Sequence, residues 1–203
     1  MRKLIVNTFL TLDGVMQAPG GPEEDTSGGF AHGGWSVTYW DDRMAEVANA
    51  IMDKPLDLVL GRRTYEIFAA HWPRATEEQG GSTFNNATKH VASSTLTNLE
   101  WQNSRLIEGD LVEALRELKQ QDGPELQVHG SANLLQTLIG GDVIDEYHLW
   151  TFPVVVGSGK RLFADGAVPG GLKLVDTVTS TTGVVISTYL PAGELVTGSF
   201  ALG

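Results

Sequence analysis

The sequence predicts an α/β protein with a mixed, mostly parallel central sheet that is flanked by helices and ends in antiparallel strands. Two observations lead to this prediction. Over the first two thirds of the chain, short apolar runs alternate with stretches of helical periodicity, which is typical of parallel strands joined by helices. The last third instead carries β-branched runs over 146–156, 172–181 and 184–189, and Thr182-Gly183 suits a hairpin between the last two.

Composition bounds the class of protein before any motif is considered. A length of 203 residues suits a single domain with a full hydrophobic core. The 14 Lys and Arg against 25 Asp and Glu give a net charge of −11, which disfavours nucleic acid and anionic membrane surfaces as partners. There is no Cys, no secretion signal and no run long enough to span a membrane, so we expect a cytoplasmic protein.

The amino-terminal part is predicted to contain a strand followed by a long loop. The strand covers 3–10, and a Gly- and Pro-rich loop extends from there to Gly34. Loops of this length are usually active-site lids or disordered inserts. Three aromatic residues follow, Trp35, Tyr39 and Trp40, and they fit either a stacking wall for a flat ligand or ordinary anchors of the core. We favour the stacking wall.

The middle of the chain alternates helices and strands. A helix over 41–52 comes first, because apolar side chains recur there at helical spacing, and Pro55 ends it. Strands are expected at 57–60, 90–92, 105–107 and 125–129. Helices are expected at 64–70, around Leu111 to Leu118, and at 134–139, with a loop over 73–88.

The most informative segment is Asp-Leu-Val-Leu-Gly-Arg-Arg-Thr at 57–64. An apolar strand ends at Gly61 and delivers Arg62, Arg63 and Thr64 to the turn before a helix. Backbone N–H groups at a helix start attract anions, and guanidinium groups match phosphate oxygens. The alternative is an arginine pair on a solvated turn with Thr64 as a helix cap. In so acidic a chain, clustered arginines favour the anion site.

Two further predicted strands end in similar chemistry. Ser93-Ser94 follows the strand at 90–92, and Gly130-Ser131 follows the strand at 125–129. Ligands of open α/β sheets collect at the carboxyl ends of strands, so the three turns could bind one extended ligand with several phosphates, such as a dinucleotide. The alternative is a coincidence of polar turns. The Rossmann fingerprint G-x-G-x-x-G is absent, and Gly157-Ser158-Gly159 fits a bulge or turn better.

In this arrangement the sequence resembles the dihydrofolate reductase-like superfamily, within it the branch containing the C-terminal reductase domain of riboflavin biosynthesis enzymes. The similar segments occur in the family's order over nearly the whole chain: Leu12-Asp13-Gly14, Gly61-Arg62-Arg63-Thr64, Ser93-Ser94, 128–134 and 145–163. The resemblance implies a dihydrofolate reductase-like fold and NADPH as the cofactor. The cofactor residues that it implies are Gly61, Arg62, Arg63, Thr64, Ser93, Ser94, Gly130, Ser131, Ala132, Asn133 and Leu134.

The resemblance also implies an activity. It places the 2′-phosphate of NADPH near Arg62 or Arg63 and Ser93 or Ser94, and the pyrophosphate against 130–134. It also implies reduction of a flat heterocycle, of the 5-amino-6-(5-phosphoribosylamino)uracil reductase type. Folate reductases usually carry Gly-Gly at the position of Gly130-Ser131, which points away from folate. No deaminase segment with zinc ligands precedes the domain, so a stand-alone reductase is expected. Dihydrofolate reduction and a non-catalytic dinucleotide sensor are the alternatives.

Hydride transfer to a C=N or C=O bond needs a proton source, commonly a carboxylic acid. Asp13 lies beside Gly14 at the base of the long loop, and Asp41 lies on the inner side of the first helix, where folate reductases place an acid. The alternatives are turn formation for Asp13 and helix capping for Asp41. The residues expected to contact the substrate are Gly14, Trp35, Tyr39 and Trp40.

The remaining features carry little chemistry. The five histidines lack metal-ligand spacing, so no metal is expected, and His129 is interpreted as a hydrogen-bonded histidine at a strand end. Trp150 and Phe152 are expected in the core or in an interface. The β-rich end of the chain could pair with a second copy, which predicts a homodimer.

Overall fold

The computed structural model describes residues 1–77 and 79–201. Its strands are β1 (Leu4–Thr11), β2 (Leu56–Gly61), β3 (Lys89–Ala92), β4 (Ser104–Leu106), β5 (Glu125–His129), β6 (Glu146–Phe152), β7 (Leu172–Thr179) and β8 (Val185–Pro191). Its α-helices are α1 (Asp42–Met52), α2 (Arg62–His71), α3 (Gly81–Asn86), α4 (Leu111–Gln120) and α5 (Ala132–Gly140). No helix in these two ranges is long and apolar enough to cross a membrane.

The strands form one sheet in the order β4-β3-β2-β5-β1-β6-β8-β7. All neighbours from β4 to β6 are parallel, and β8 is antiparallel to both β6 and β7. The predicted fold class, a mixed and mostly parallel sheet with antiparallel carboxyl-terminal strands, is confirmed. Thr182-Gly183 lies in the connection between β7 and β8, as predicted, and Gly183 has a φ of 87° there.

The alternation of side chains along β1 divides the core between the two faces of the sheet. Leu4 and Val6 face one side and pack in a cluster with α4 and α5, which contribute Leu115 and Leu138. Phe9, on the other side, packs with α1, Trp150 and Phe152. Trp150 and Phe152 are therefore core residues, one of the two places expected for them. A third cluster packs α2 and α3 against β2 and β3 on the same side as α1.

Two local predictions are corrected. Helix α2 begins at Arg62 instead of residue 64, with Gly61 as its N-cap, so both arginines lie in the first helical turn and Thr64 does not cap the helix. The predicted loop over 73–88 contains α3, whose sequence Gly-Ser-Thr-Phe-Asn-Asn is poor in helix formers. Burial of Phe84, which is 3 % exposed, holds this helix through tertiary packing that a local pattern does not reveal.

Strand β7 is the edge of the sheet beside β8 and is exposed along almost its whole length. Leu174 and Val175 are 49 % and 46 % exposed there. An unprotected edge of this kind can pair with another chain. The homodimer stays a prediction, and this edge is where we expect the second copy.

Candidate active site

A cleft of about 1740 Å³ opens at the carboxyl ends of the parallel strands, between α1 on one side and α2 with α3 on the other. The structure brings all the residues implied for the cofactor to its lining: Gly61, Arg62, Arg63, Thr64, Ser93, Ser94, Gly130, Ser131, Ala132, Asn133 and Leu134. Since the carboxyl ends of parallel strands share one edge of the sheet, segments far apart in the chain meet here.

Ser131 joins the ends of β2 and β5. Its Oγ accepts a hydrogen bond from the Gly61 amide at 2.9 Å and donates one to Thr64 Oγ1 at 2.7 Å. The turn needs a left-handed backbone, with φ of 74° at Gly130 and 69° at Ser131. A Cβ atom added to Gly61 would lie 3.1 Å from both Cβ and Oγ of Ser131, so a larger residue would press Ser131 away from this contact. The contact holds the starts of α2 and α5 side by side.

The starts of α2 and α5 form an anion-binding geometry. Neither helix has a side-chain cap at its N-terminus, and the first-turn residues of both line the cleft. The first N–H groups of a helix have no partner within the helix, and the helix dipole adds positive potential there. Two such ends at one cleft suit a ligand with more than one phosphate.

The two arginines of α2 have different surroundings. Arg62 Nη1 donates to Thr95 Oγ1 at 3.0 Å, next to a turn in which Ser93 Oγ accepts from the amides of Thr95 and Leu96. Arg63 Nη2 lies 3.3 Å from Asp25 Oδ1, in the long loop. Arg62 thus stands with the Ser- and Thr-rich turn after β3, whereas Arg63 connects α2 to the loop.

The long loop is fastened to the cleft by contacts distant in sequence. Asp25 accepts hydrogen bonds from Lys160 Nζ at 2.6 Å and from Ser27 Oγ at 2.6 Å. Burial raises the pKa of Asp25, but the bonds from Lys160 and Ser27 outweigh burial and hold this pKa below its ordinary value. The Gln17 side-chain amide donates to the carbonyls of Asp25 and Ser27. Sequence reasoning missed Asp25 and Lys160, because no local pattern links residues so far apart.

The two carboxylates predicted as proton donors lie outside the cleft lining. Asp13 accepts from Thr11 Oγ1 at 2.6 Å and from the Gly157 amide at 2.9 Å, and Arg161 Nη2 is 3.7 Å away. The bond from Thr11 is the main cause of a lowered pKa, which opposes a role as an acid at neutral pH. Its position fits turn formation, the alternative interpretation.

Asp41 is the N-cap of α1. It accepts from the Met44 amide at 2.8 Å and from the amide and hydroxyl of Thr181 at 2.7 and 2.6 Å. The bond from the Thr181 side chain is the main cause of its lowered pKa. The capping interpretation therefore accounts for Asp41, and the catalytic hypothesis has no support from its position.

Replacing Asp41 by alanine should lower the melting temperature by about 2 to 4 °C, because α1 loses its cap and its contact with the β7–β8 turn. Cofactor affinity should not change. The matched control is Asp42→Ala, one residue on, whose exposed side chain lies in the same helical turn. A loss of cofactor affinity in Asp41→Ala alone, measured by fluorescence titration, would contradict this assignment.

Of the four residues expected to contact the substrate, Trp40 alone lines the cleft. Its ring is parallel to that of Trp150, with centroids 6.1 Å apart and planes at 3°. Trp35 and Tyr39 pack edge-on against Phe152 at 5.3 and 6.0 Å and are core anchors. Gly14 lies in the turn beside Arg161. The stacking-wall interpretation therefore applies to Trp40, whereas Trp35 and Tyr39 fit the alternative.

The compartment between α1 and α2 has apolar walls and a polar floor. The walls include Phe9, Trp40, Ala48, Met52, Ile67, Phe68, Trp72 and Phe84. The floor carries Asn7 and His129. Burial, and to a smaller degree the nearby His148, lower the pKa of His129 to about 4, so its imidazole is neutral at pH 7. An apolar compartment with a few polar groups, here called the aromatic slot, is the usual form of a small-molecule site.

The sheet, its flanking helices and the cleft at the carboxyl ends of the parallel strands define an α/β protein with a dihydrofolate reductase-like fold. The chain belongs to the family described as the RibD C-terminal domain, which matches residues 2–186. The match supports a reductase of this family.

Individual proteins are similar to this chain over nearly its whole length. The uncharacterized protein YyaP of Bacillus subtilis (strain 168) is 28 % identical over 193 residues, covering 93 % of this chain and 94 % of that protein. A Shewanella sp. PV-4 protein, provisionally described as a riboflavin biosynthesis protein, has a TM-score of 0.71 at 20 % identity, covering 94 % of this chain and 99 % of its own. Dihydrofolate reductase from Enterococcus faecalis, solved with NADP(H), has a TM-score of 0.56 at 17 % identity, covering 93 % and 96 %. At these identities the two solved structures show the shared fold.

Proposed function

We propose that the protein is an NADPH-dependent reductase that transfers hydride to a flat heterocycle, of the 5-amino-6-(5-phosphoribosylamino)uracil reductase type. The observation that carries the proposal is the meeting of two uncapped helix starts, α2 and α5, at a cleft whose other end is an aromatic slot. Phosphates and a flat ring are the two kinds of group that this combination suits.

The chain's own residues fit the proposed cofactor. The pyrophosphate would be held by the helix starts at Arg62 and Ala132, with the Gly130-Ser131 turn allowing close approach of the backbone. The 2′-phosphate would be held by Arg62 and Thr95, because Arg63 is engaged with Asp25. A competing exposed contact, Arg62 Nε to Glu66 at 3.5 Å, is weak enough to give way.

When bound, NADPH supplies the hydride; the protein must orient the substrate, exclude water and hold a proton. The loop fastened by Asp25 and Lys160 borders the cleft and would limit access of water. Among the acidic residues in the lining is Glu24, whose pKa is raised by burial, although the Gly20 amide bonded to its carboxylate opposes the change. Glu24 lines the cleft, whereas Asp13 and Asp41 do not, and a carboxyl group that keeps its proton to higher pH is the better donor, so Glu24 is our candidate.

A dinucleotide sensor without activity is the second candidate, favoured by the position of both predicted carboxylates outside the cleft. One experiment separates the two. NADPH binding is measured by fluorescence, and aminouracil ribosyl and ribityl phosphates and dihydrofolate are then screened for oxidation of the bound cofactor. Turnover of an aminouracil phosphate supports the proposal. Turnover of dihydrofolate alone would mean that the protein is a reductase of dihydrofolate and not of an aminouracil. Tight binding without turnover favours the sensor, and absence of NADPH binding rejects both.

A further inference from the structure

A row of polar side chains crosses the middle of the sheet beneath the aromatic slot. Asn7 of β1 pairs in register with His129 of β5 on one side and with His148 of β6 on the other. Gln127 and Glu146 lie two residues before the two histidines and therefore face the same side of the sheet. Five polar residues at neighbouring positions beneath an apolar compartment call for a specific role.

These side chains form a continuous hydrogen-bonded chain, which we call the polar ladder: His129, Gln127, Asn7, His148, Glu146 and Lys3. His129 Nε2 lies 2.9 Å from Gln127 Oε1, which also accepts from Asn7 Nδ2 at 3.3 Å. Asn7 Oδ1 lies 2.9 Å from His148 Nδ1, whose Nε2 is 2.7 Å from Glu146 Oε1. Lys3 Nζ donates to Glu146 Oε2 at 2.9 Å. The ladder thus runs from the cleft to an exposed ion pair.

The direction of these bonds determines the tautomer of His129. Gln127 Oε1 can only accept, so the hydrogen between it and His129 must reside on Nε2 of the imidazole. With Asn7 donating to Gln127, Asn7 Oδ1 accepts from His148 Nδ1, and Glu146 Oε1 accepts from His148 Nε2. This direction of the ladder therefore requires hydrogen on both nitrogens of His148, a form that the adjacent Glu146 carboxylate favours. A neutral imidazole with hydrogen on Nε2 has a lone pair on Nδ1. His129 is therefore a hydrogen-bond acceptor at Nδ1.

This acceptor is available to a ligand. In the described part of the chain, His129 Nδ1 has no hydrogen-bond partner, and it is not among the unpartnered side-chain atoms sealed from solvent, which are Trp72 Nε1, His90 Nε2 and Ser104 Oγ. His129 lines the cleft, and its ring is held edge-on to Phe84 with centroids 5.5 Å apart. The lone pair is thus presented in a fixed direction at the floor of an apolar slot.

We propose that His129 determines substrate specificity by accepting a hydrogen bond at Nδ1 from the ring N–H of a pyrimidinedione, and that the polar ladder positions it by fixing its tautomer. This deepens the proposed function and rests on it. Walls that stack on the faces of a ring leave only its edge to meet the floor. The edge of an aminouracil that is remote from the ribosyl chain offers the N3–H donor.

The test compares 5,6-diaminouracil with its N3-methyl derivative, by calorimetry on the NADPH-saturated protein. The wild type should bind the N3–H compound about tenfold more tightly, because the methyl compound leaves the acceptor unpaired. In His129→Phe, which keeps the ring against Phe84, the ratio should fall to near one. In His129→Asn, whose side-chain oxygen can take the place of Nδ1, part of the preference should return.

A second measurement reads the tautomer directly. ¹⁵N NMR of the wild type should show His129 with hydrogen on Nε2 and none on Nδ1, and Gln127→Met should give a mixture of tautomers. Hydrogen on Nδ1 in the wild type, equal binding of the two compounds, absence of binding by both, or an undiminished preference in His129→Phe would each overturn the inference. NADPH affinity is measured in the wild type and in every variant. If the wild type binds NADPH but the expectations for His129 fail, the role of His129 is rejected and the reductase proposal stands. If the wild type does not bind NADPH, the reductase proposal itself is rejected.

Discussion

Replacing Arg62 by glutamine is expected to weaken NADPH binding about 30-fold and to change NADH binding less than twofold. Arg62 Nη1 already lies 3.0 Å from Thr95 Oγ1, beside the Ser93 turn, so a phosphate on the adenosine ribose would meet a guanidinium and hydroxyl groups together. A hydrogen bond assisted by charge is worth about 2 kcal/mol, which corresponds to that factor. NADH lacks the 2′-phosphate and loses nothing there. Titration of intrinsic fluorescence with each cofactor gives both dissociation constants.

Arg63→Gln is the matched control, one residue along the same helix. Arg63 lies 3.3 Å from Asp25 Oδ1, so its removal loosens the long loop and should weaken NADPH and NADH by similar factors. If Arg62→Gln also weakened the binding of NADPH and NADH equally, the site near Thr95 would not bind the 2′-phosphate. If Arg63→Gln were the selective variant, the assignment of the two arginines would be reversed.

Replacing Asp57 by alanine is expected to lower the free energy of unfolding by about 3 kcal/mol, because a buried ion pair loses one partner. Asp57 forms a salt bridge with Arg2, and the side chain of Asp57 is 12 % exposed and that of Arg2 5 % exposed. Its other oxygen accepts from the Thr88 amide at 3.0 Å and so fixes the start of β3 beside β2. Urea unfolding measures the change. Glu113→Ala, which breaks the exposed pair with Arg116, is the control and should cost less than about 0.5 kcal/mol.

The same carboxylate makes stability depend on acid pH. Burial raises the pKa of Asp57, but contacts with His90 and Arg2 and the Thr88 amide outweigh it and lower this pKa to about 2. At 3.6 Å from Asp57 Oδ2, His90 Nε2 is too far for a good hydrogen bond, so Arg2 and Thr88 carry most of the effect.

A lowered pKa in the folded state means that the stabilisation is complete above the ordinary pKa near 4 and is lost as the pH falls from there to about 2. After allowance for screening by solvent, the linked loss is about 1 to 2 kcal/mol. Between pH 5 and 2.5, the free energy of unfolding in urea should fall by about 1 to 2 kcal/mol more in the wild type than in the Asp57→Ala variant, which keeps the other acid-sensitive carboxylates. Equal pH dependence of the two proteins would contradict the assignment.

The position of the proposed cofactor half of the cleft could be predicted from short stretches of sequence. The turn at Gly61 to Thr64 and the turn at Gly130-Ser131 each follow an apolar strand, and parallel strands place such turns on one edge. The predicted start of α2 was wrong by two residues, and this changes the chemistry of the turn because both arginines lie within the helix. Because Ser131 Oγ binds the Gly61 amide, the helix starts at Arg62, and the arginines belong to its first turn.

The substrate half could not be predicted in the same way. Trp35 and Trp40 are five positions apart and look equivalent in the sequence, yet one packs against Phe152 and the other lines the cleft. Asp13 and Asp41 carry the right chemistry but are used for a turn and a helix cap. Which aromatic or carboxylate side chain faces the cleft depends on how separate helices, strands and loops pack together. That packing cannot be inferred from the type of residue alone.

By itself, the sequence determined the class of fold, the family and the positions of the turns that line the cleft. Periods of two and 3.6 residues, glycines at strand ends and charged residues at helix starts act over a few neighbouring residues and can be read locally. Only the tertiary structure decided that Asp25 engages Lys160 and that His129, Asn7 and His148 share one hydrogen-bonded ladder. Asp25 and Lys160, Asn7 and Gln127, and Asn7 and His148 are each more than a hundred positions apart in the sequence. The ladder can form only once β5, β1 and β6 lie side by side.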